Sequence, residues 1–229
     1  MTDDHAALAQ FQGVARLFPL PNLVLFPQVD QGLHIFEPRY RQMIADALAT
    51  DQLITLVLLK QGWEEEYDDT PAIEAVGCLG RIVQHQHLPD GRYNVRLRGI
   101  GRVRLLEELR TDKLYRTARA EPIPDVVPDD LPRLTRLRKH LAETVLPQFE
   151  LGSAAHDQLL DIFQGDLPLG PLCDLLSYAL PFPLELKQQL LEQPHVEARA
   201  ELIARELDVP PTPAPVASGR KFPPDFSTN

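Results

Sequence analysis

Apolar residues change their spacing partway along this chain. Up to about residue 123 they fall in short runs or alternate in twos; beyond it they recur at intervals of three and four. The first spacing belongs to strands and the second to helices. "ARLFPL" and "LVLFP", separated by the turn signal "PN", read as two strands. "LITLVLL" at 53–59 is a continuous apolar run of strand length, expected to be buried on both faces. "VGCLGRIVQHQHL" and "RYNVRLRG" flank "PDG", a turn set by proline, aspartate and glycine. In the second of these arms Tyr93, Val95 and Leu97 alternate with Asn94, Arg96 and Arg98. Gly99 and Gly101 then break the run, which predicts a bulge or sharp bend before "RVRLLEEL". "LYRTARAE" supplies a further strand. One helix is predicted early. Counting from Tyr40, the apolar residues Tyr40, Met43, Ile44, Ala47 and Leu48 lie at offsets 0, 3, 4, 7 and 8, with Pro38 in the first turn.

The later stripes are helical. Leu134, Leu137, Leu141 and Val145 share one face; Ala155, Leu159, Ile162 and Phe163 share another, with Ser153 as N-cap and Gly165 beyond the end. Leu172, Leu175, Leu176, Ala179 and Leu180 follow, then "PFPLELKQQLLE", then Val196, Ala200, Ile203 and Leu207. Strands first and helices later predict an α+β fold. The expected organisation is a tail at 1–13, a curled sheet or barrel-type subdomain at 14–123 and a C-terminal helical bundle at 124–208. A proline-rich tail follows at 209–229, in extended or polyproline-like form.

Charge narrows the function classes. The 229 residues carry a formal net charge of −10, which disfavours general affinity for nucleic acid or an anionic membrane. No apolar run reaches membrane-span length, and "MTDDHAALAQ" lacks the basic start and apolar core of a secretory signal. Two cysteines far apart in sequence, Cys78 and Cys173, fit a reduced, cytoplasmic protein. The charge is uneven: 64–74 holds six acids and no base, whereas 91–119 holds nine bases and three acids. The acidic run at 64–69 is expected to be an exposed loop.

"LHIFEPRYR" at 33–41 is the densest knot of candidate chemistry. It reads as a strand–helix joint, with Glu37 placed before Pro38 to accept from free N–H groups and face the helix dipole. A ligand-contact role stands second. Catalysis by His34, Glu37 and Arg39 ranks last, because no nucleophile with an activating base is visible. His85 and His87 share a strand face near Cys78, but three such residues make no metal-binding signature, and no metal or cofactor is expected. Arg92, Arg96, Arg98, Arg102 and Arg104 form a basic run that predicts a solvated, salt-bridged sheet face.

These blocks carry a resemblance. "LFPLPNLVLFPQ", "LHIFEPRYRQMIADAL", "VGCLGRI", "LPDGRYNVRLRGIGRVRLLEE", "YRTARAE" and "LSYALPFPLELKQQLLEQPHVEARAELI" stand in the order found in the Lon protease N-terminal, or substrate-binding, domain family. The resemblance runs from about Arg16 to Leu207. It implies a PUA-like β-barrel-type subdomain followed by helices. It also implies a non-catalytic module for unfolded or extended polypeptide, acting as an adaptor or holdase beside a protease or chaperone. Complete Lon proteases add an ATPase and a serine–lysine peptidase. No GxxxxGK[ST] segment occurs here, and none of the five lysines sits in a recognisable peptidase context, so no enzyme is expected. Peptide contacts are expected from Phe26, Leu33, Phe36, Tyr40, Trp63 and Tyr178, with Phe18 a further candidate, in a groove between barrel and helices. Burial in the core is the commoner fate of such side chains. PUA-like folds also bind RNA, which makes the five arginines an alternative RNA- or nucleotide-binding face. The run lacks interleaved aromatics for base stacking, so nucleic acid is the weaker partner class.

Overall fold

The computed structural model describes residues 2–66 and 70–208; the proline-rich tail expected at 209–229 lies outside them. Six strands and seven helices follow in chain order: α1 (Thr2–Ala9), β1 (Val14–Leu20), β2 (Asp30–Ile35), α2 (Pro38–Leu48), β3 (Leu53–Leu58), β4 (Val76–His87), β5 (Tyr93–Leu109) and β6 (Thr117–Ile123), then α3 (Leu131–Val145), α4 (Ala154–Gln164), α5 (Leu169–Ala179), α6 (Leu184–Glu192) and α7 (Val196–Asp208). Pairings β1–β3, β3–β4, β4–β5, β5–β6 and β6–β1 close a five-strand circuit, parallel only between β1 and β3. β2 is added antiparallel to the first half of β5 and stands at the end of the strand order.

Side chains alternate between two cores along these strands. Leu17, Val57, Leu79 and Val103 belong to a small core roofed by Leu8 and Phe11. Phe18, Leu56, Leu58 and Cys78 belong to a larger one that continues into the helices through Leu141, Leu172, Leu176, Leu190 and Ile203. β3 is buried throughout, as its unbroken apolar run predicts. Ser153 caps α4 by accepting from the His156 N–H at 3.2 Å.

Three expectations need correction. The N-terminal stretch is not a plain tail. α1 packs Leu8 over Gly101 of β5, and Asp4, 6% exposed, pairs with Arg81 at 2.6 Å. "LVLFP" is not a strand. Prolines bracket it, and it runs as irregular, buried chain whose Phe26 carbonyl crosses Gly99 so closely that a Cβ there would lie 2.1 Å from the oxygen. Glu37 occupies the N-cap position of α2, but its carboxylate makes no cap bond and instead accepts from Arg39 Nε at 2.9 Å. α2 buries Tyr40, Met43, Ile44 and Ala47, leaving Leu48 half-buried.

Candidate functional site

A groove of about 680 Å³ opens where β2, the turn after β1, the start of α2 and the end of α5 meet. Its wall is continuous along β2, from Gln31 to Phe36. Continuity of that kind means the main chain itself borders the groove, since side chains of successive strand residues point to opposite faces. Among the described strands β2 pairs only with β5, which leaves its other edge without a strand partner in a strand whose residues line the groove. Gly99 N donates to Val29 O at 2.9 Å, which sets the pairing phase and turns the Gly32 main chain away from β5. The Gly32 carbonyl accepts from Gln31 Nε2 at 2.7 Å, consistent with that phase.

The opposite wall is helical. Tyr178 on α5 donates its hydroxyl to Gln31 Oε1 at 2.6 Å, tying helix to strand. Lys187 on α6 donates to the Tyr178 carbonyl at 2.8 Å, and burial lowers its pKa below the usual lysine value while raising that of the Tyr178 phenol. Leu20, Leu23 and Leu33 supply apolar surface. Phe36, at 54% exposure, is the large apolar side chain the groove leaves in water. Tyr40 lines the base, tilted against Phe18 with ring centroids 4.5 Å apart.

Four of the six residues expected to contact peptide, Leu33, Phe36, Tyr40 and Tyr178, thus converge on one groove. Trp63 lines a different groove, and Phe26 is fully buried in the larger core, where it cannot reach a ligand. Gln31, Leu20, Leu23 and Lys187 are additions that the sequence pattern did not single out. His34 and Glu37 both border the groove, but His34 Nδ1 meets Asn94 Oδ1 at 2.7 Å while Glu37 pairs with Arg39. No nucleophile-and-base geometry links the trio.

The five arginines do not form one face. Arg98 is tied to Asp30 at 2.6 Å and Arg92 to Asp90 at 2.5 Å; Arg96 and Arg104 are exposed. Arg102 is 3% exposed and donates through Nε to the Leu191 carbonyl at 2.8 Å. Its guanidinium also pairs with Asp174 and with Asp125, which in turn bind Arg199. The cause is the bulge at Ile100, where Leu79 faces Gly101 and Gly80 faces Gly99 with one residue left over. Ile100 joins the small core and a Cβ on Gly101 would meet Leu8 of α1, so two consecutive residues point the same way and Arg102 is turned towards the helices. Burial pushes the Asp174 carboxyl above its ordinary range, against the pull of Arg102 and Arg199. Cys78 is in the core and far from reactive, its thiol pushed up to about 12 by burial, whereas His85 and His87 are exposed. Among the described residues no group of three or more His, Cys, Asp or Glu is placed to hold a metal, and no helix is long and apolar enough to cross a membrane.

Comparison with known proteins places these features in a family. The model of the ATP-dependent protease La (LON) substrate-binding domain matches residues 14–209, and the chain belongs to that family. Lon protease 1 of Thermus thermophilus is 31% identical over 84% of the chain, and Lon protease of Anaeromyxobacter dehalogenans is 29% identical over 85%. The chain spans about a quarter of the length of these curated relatives, 24% and 23% respectively. A Lon N-terminal domain protein from Xanthomonas campestris superposes with a TM-score of 0.61 at 25% identity, covering 84% of this chain and 97% of that one. The N-terminal domain of Lon protease from the Mycobacterium avium complex gives 0.67 at 15% identity over 85% and 97%, a likeness of fold. The match is to the substrate-binding region and not to a protease domain.

Proposed function

We propose that this chain binds extended or unfolded polypeptide in the groove along β2, as an adaptor or holdase that presents such segments to a protease or chaperone. The bound segment adds a strand to the β2 edge through main-chain hydrogen bonds. Its alternate side chains rest on Leu20, Leu23, Leu33, Phe36, Tyr40 and Tyr178. The observation that carries this reading is the second edge of β2, which has no strand partner among the described residues, in a strand that lines an apolar groove with Phe36 left exposed beside it. Membership of a substrate-binding domain family supports it. Exposed strand edges are ordinarily blunted or covered because they recruit other chains, so a strand edge kept beside an apolar groove supports this reading.

The test is binding of a labelled, permanently unfolded model protein, followed by fluorescence anisotropy, with amide exchange read on the complex. Saturable binding with new protection at Gly32 supports the proposal. Absence of saturable binding for several such substrates up to high micromolar concentration, or protection confined to other strands, would sink it.

A further inference from the structure

Among the described residues, Lys187 is the one lysine or arginine that lines the groove along β2. It is half-buried; its ammonium donates to the Tyr178 carbonyl at 2.8 Å and stands 5.9 Å from the centre of that tyrosine's ring. The carbonyl belongs to the last turn of α5, where main-chain oxygens lack partners within the helix, so this bond caps α5. Capping takes up one of the three N–H groups of the ammonium. Among the described residues no carboxylate lies within ion-pair distance of the other two. Lys113 and Lys139, by contrast, stand 3.0 Å from Asp46 and 3.7 Å from Glu143.

The rest of the groove leaves that charge uncompensated. Glu37 is the only carboxylate among its lining residues, and Arg39 already neutralises it at 2.8 Å. Asn22, exposed on the turn after β1, also lines the groove, and no described residue hydrogen-bonds its side-chain amide. A chain of formal net charge −10 therefore holds, in this one apolar groove, a positive charge without a counter-ion and a free amide donor. Partial burial strips water from the ammonium, a cost that lowers its pKa and that a bound anion offsets. A carboxylate fits the vacancy, as a single negative charge with two oxygens able to accept from the remaining N–H groups.

We propose that Lys187 forms a carboxylate subsite of the groove, receiving an acidic side chain or the C-terminal carboxylate of the segment bound along β2. The inference rests on the polypeptide-binding reading and gives it a preference: segments that set a carboxylate beside apolar residues.

The experiment uses the full chain and three extended peptides with one core of phenylalanine, leucine, serine and glycine, each carrying an uncharged dye at its N-terminus for anisotropy. The first ends in an amide and is neutral. The second is the first with a serine on each side of the core replaced by glutamate. The third is the first with a free C-terminal carboxylate. Tighter binding of the second or the third by about 3- to 10-fold is expected, between the effect of an exposed ion pair and that of a charge-assisted hydrogen bond. Whichever peptide gains identifies the source of the carboxylate. The ratio of carboxylate-peptide to neutral-peptide affinity is compared within each variant, so that a general weakening of the groove cancels. Lys187→Gln keeps an N–H donor for the Tyr178 carbonyl but not the charge, and should bring the ratio to about one; Lys187→Arg should keep most of it. Carbodiimide coupling on the parent chain gives a readout that needs no variant: the amide cross-link from the peptide carboxylate should map to Lys187. Equal binding of all three peptides, a gain that survives in Lys187→Gln, or cross-links confined to other lysines would overturn the subsite and leave the β2 reading standing. No binding of any peptide to the parent chain would overturn both.

Discussion

Arg98 and Arg102 stand four residues apart on one strand and end in opposite surroundings. Arg98 lies on the open side, 41% of its side chain exposed, bound to Asp30. Arg102 is locked between sheet and helices with Asp174, each side chain 2% exposed. Residues an even number apart on a strand ordinarily share a face. The extra residue at Ile100 cancels that rule and converts a basic stripe into two unrelated devices. The first is a surface pair that screens with salt. The second joins the barrel to α5 and α7 through Asp174 and Arg199. The bulge takes Arg102 out of the stripe on which the RNA-binding alternative rested, while Arg96 and Arg98, which precede it, stay on the open side.

The largest effect is expected at the buried end. Arg102→Met removes one of the two guanidinium partners of the buried Asp174 carboxylate and leaves Arg199 as the other, and breaking a buried pair in this way costs about 3–5 kcal/mol. Urea denaturation should show it as a lowered midpoint. A double-mutant cycle with Asp174→Ala should show strong coupling, since the two side chains touch. A loss under about 1 kcal/mol, in the range of exposed pairs, would erase the contrast between the two arginines.

Gly99→Ala comes next and tests the bulge directly. The new methyl would meet the Phe26 carbonyl at 2.1 Å and Cys78 Sγ at 3.0 Å, so either the buried "LVLFP" segment or β5 must shift. Overpacking of this kind costs about 1–3 kcal/mol. Thermal unfolding measures it, and an unchanged midpoint would show that the close crossing is not needed.

Arg98→Met should cost about 0.2–1 kcal/mol, the range for an exposed pair. Its signature is in the acid limb. The hydrogen bond from Arg98 holds the Asp30 carboxyl below its ordinary value of 3.8. A carboxylate with a depressed folded-state pKa contributes stability that is present above its unfolded value and is lost as pH falls through the folded one. Stability measured from pH 5 downwards should therefore fall less steeply in Arg98→Met than in the parent chain. Parallel curves would show that Asp30 owes its depressed pKa to another group.

Much of this architecture is legible in the chain, and the illegible parts have physical causes. The spacing of Tyr40, Met43, Ile44 and Ala47 places α2, and the Ser153 cap stands where predicted, because both depend on neighbours within a turn or two. The glycines at 99 and 101 announce the bulge, yet the inversion of Arg102 becomes visible only when the bulged residue is counted against its partner strand. "LVLFP" reads as a strand by composition, but strand pairing is a property of neighbours that a single segment does not carry. α1 has a weak apolar stripe and depends on Asp4 meeting Arg81, 77 residues away. In the groove, Leu33 and Phe36 could be found from the strand–helix joint, whereas Gln31 and Lys187 enter through Tyr178, which sits 147 and 9 residues from them.

The smallest stability effect is expected at Phe36, and it separates the groove from everything discussed so far. Phe36 and Phe26 are both aromatic, ten residues apart, and both were reasonable peptide-contact candidates. Phe26 is 0% exposed and Phe36 is 54% exposed. Truncating an exposed side chain outside the core changes stability by no more than about 0.5 kcal/mol, so Phe36→Ala should unfold at nearly the parent midpoint. Its effect should instead appear in binding. An aromatic anchor at the rim of a strand-addition groove is the residue type that dominates such contacts, and its loss should weaken the unfolded model substrate about 10-fold or more. Anisotropy and thermal unfolding on the same preparation give both numbers. Unchanged affinity in Phe36→Ala would remove the groove's main apolar anchor from the proposed site. A large drop in midpoint would mean that Phe36 holds the fold together as Phe26 does, and that its exposure is not kept for a partner.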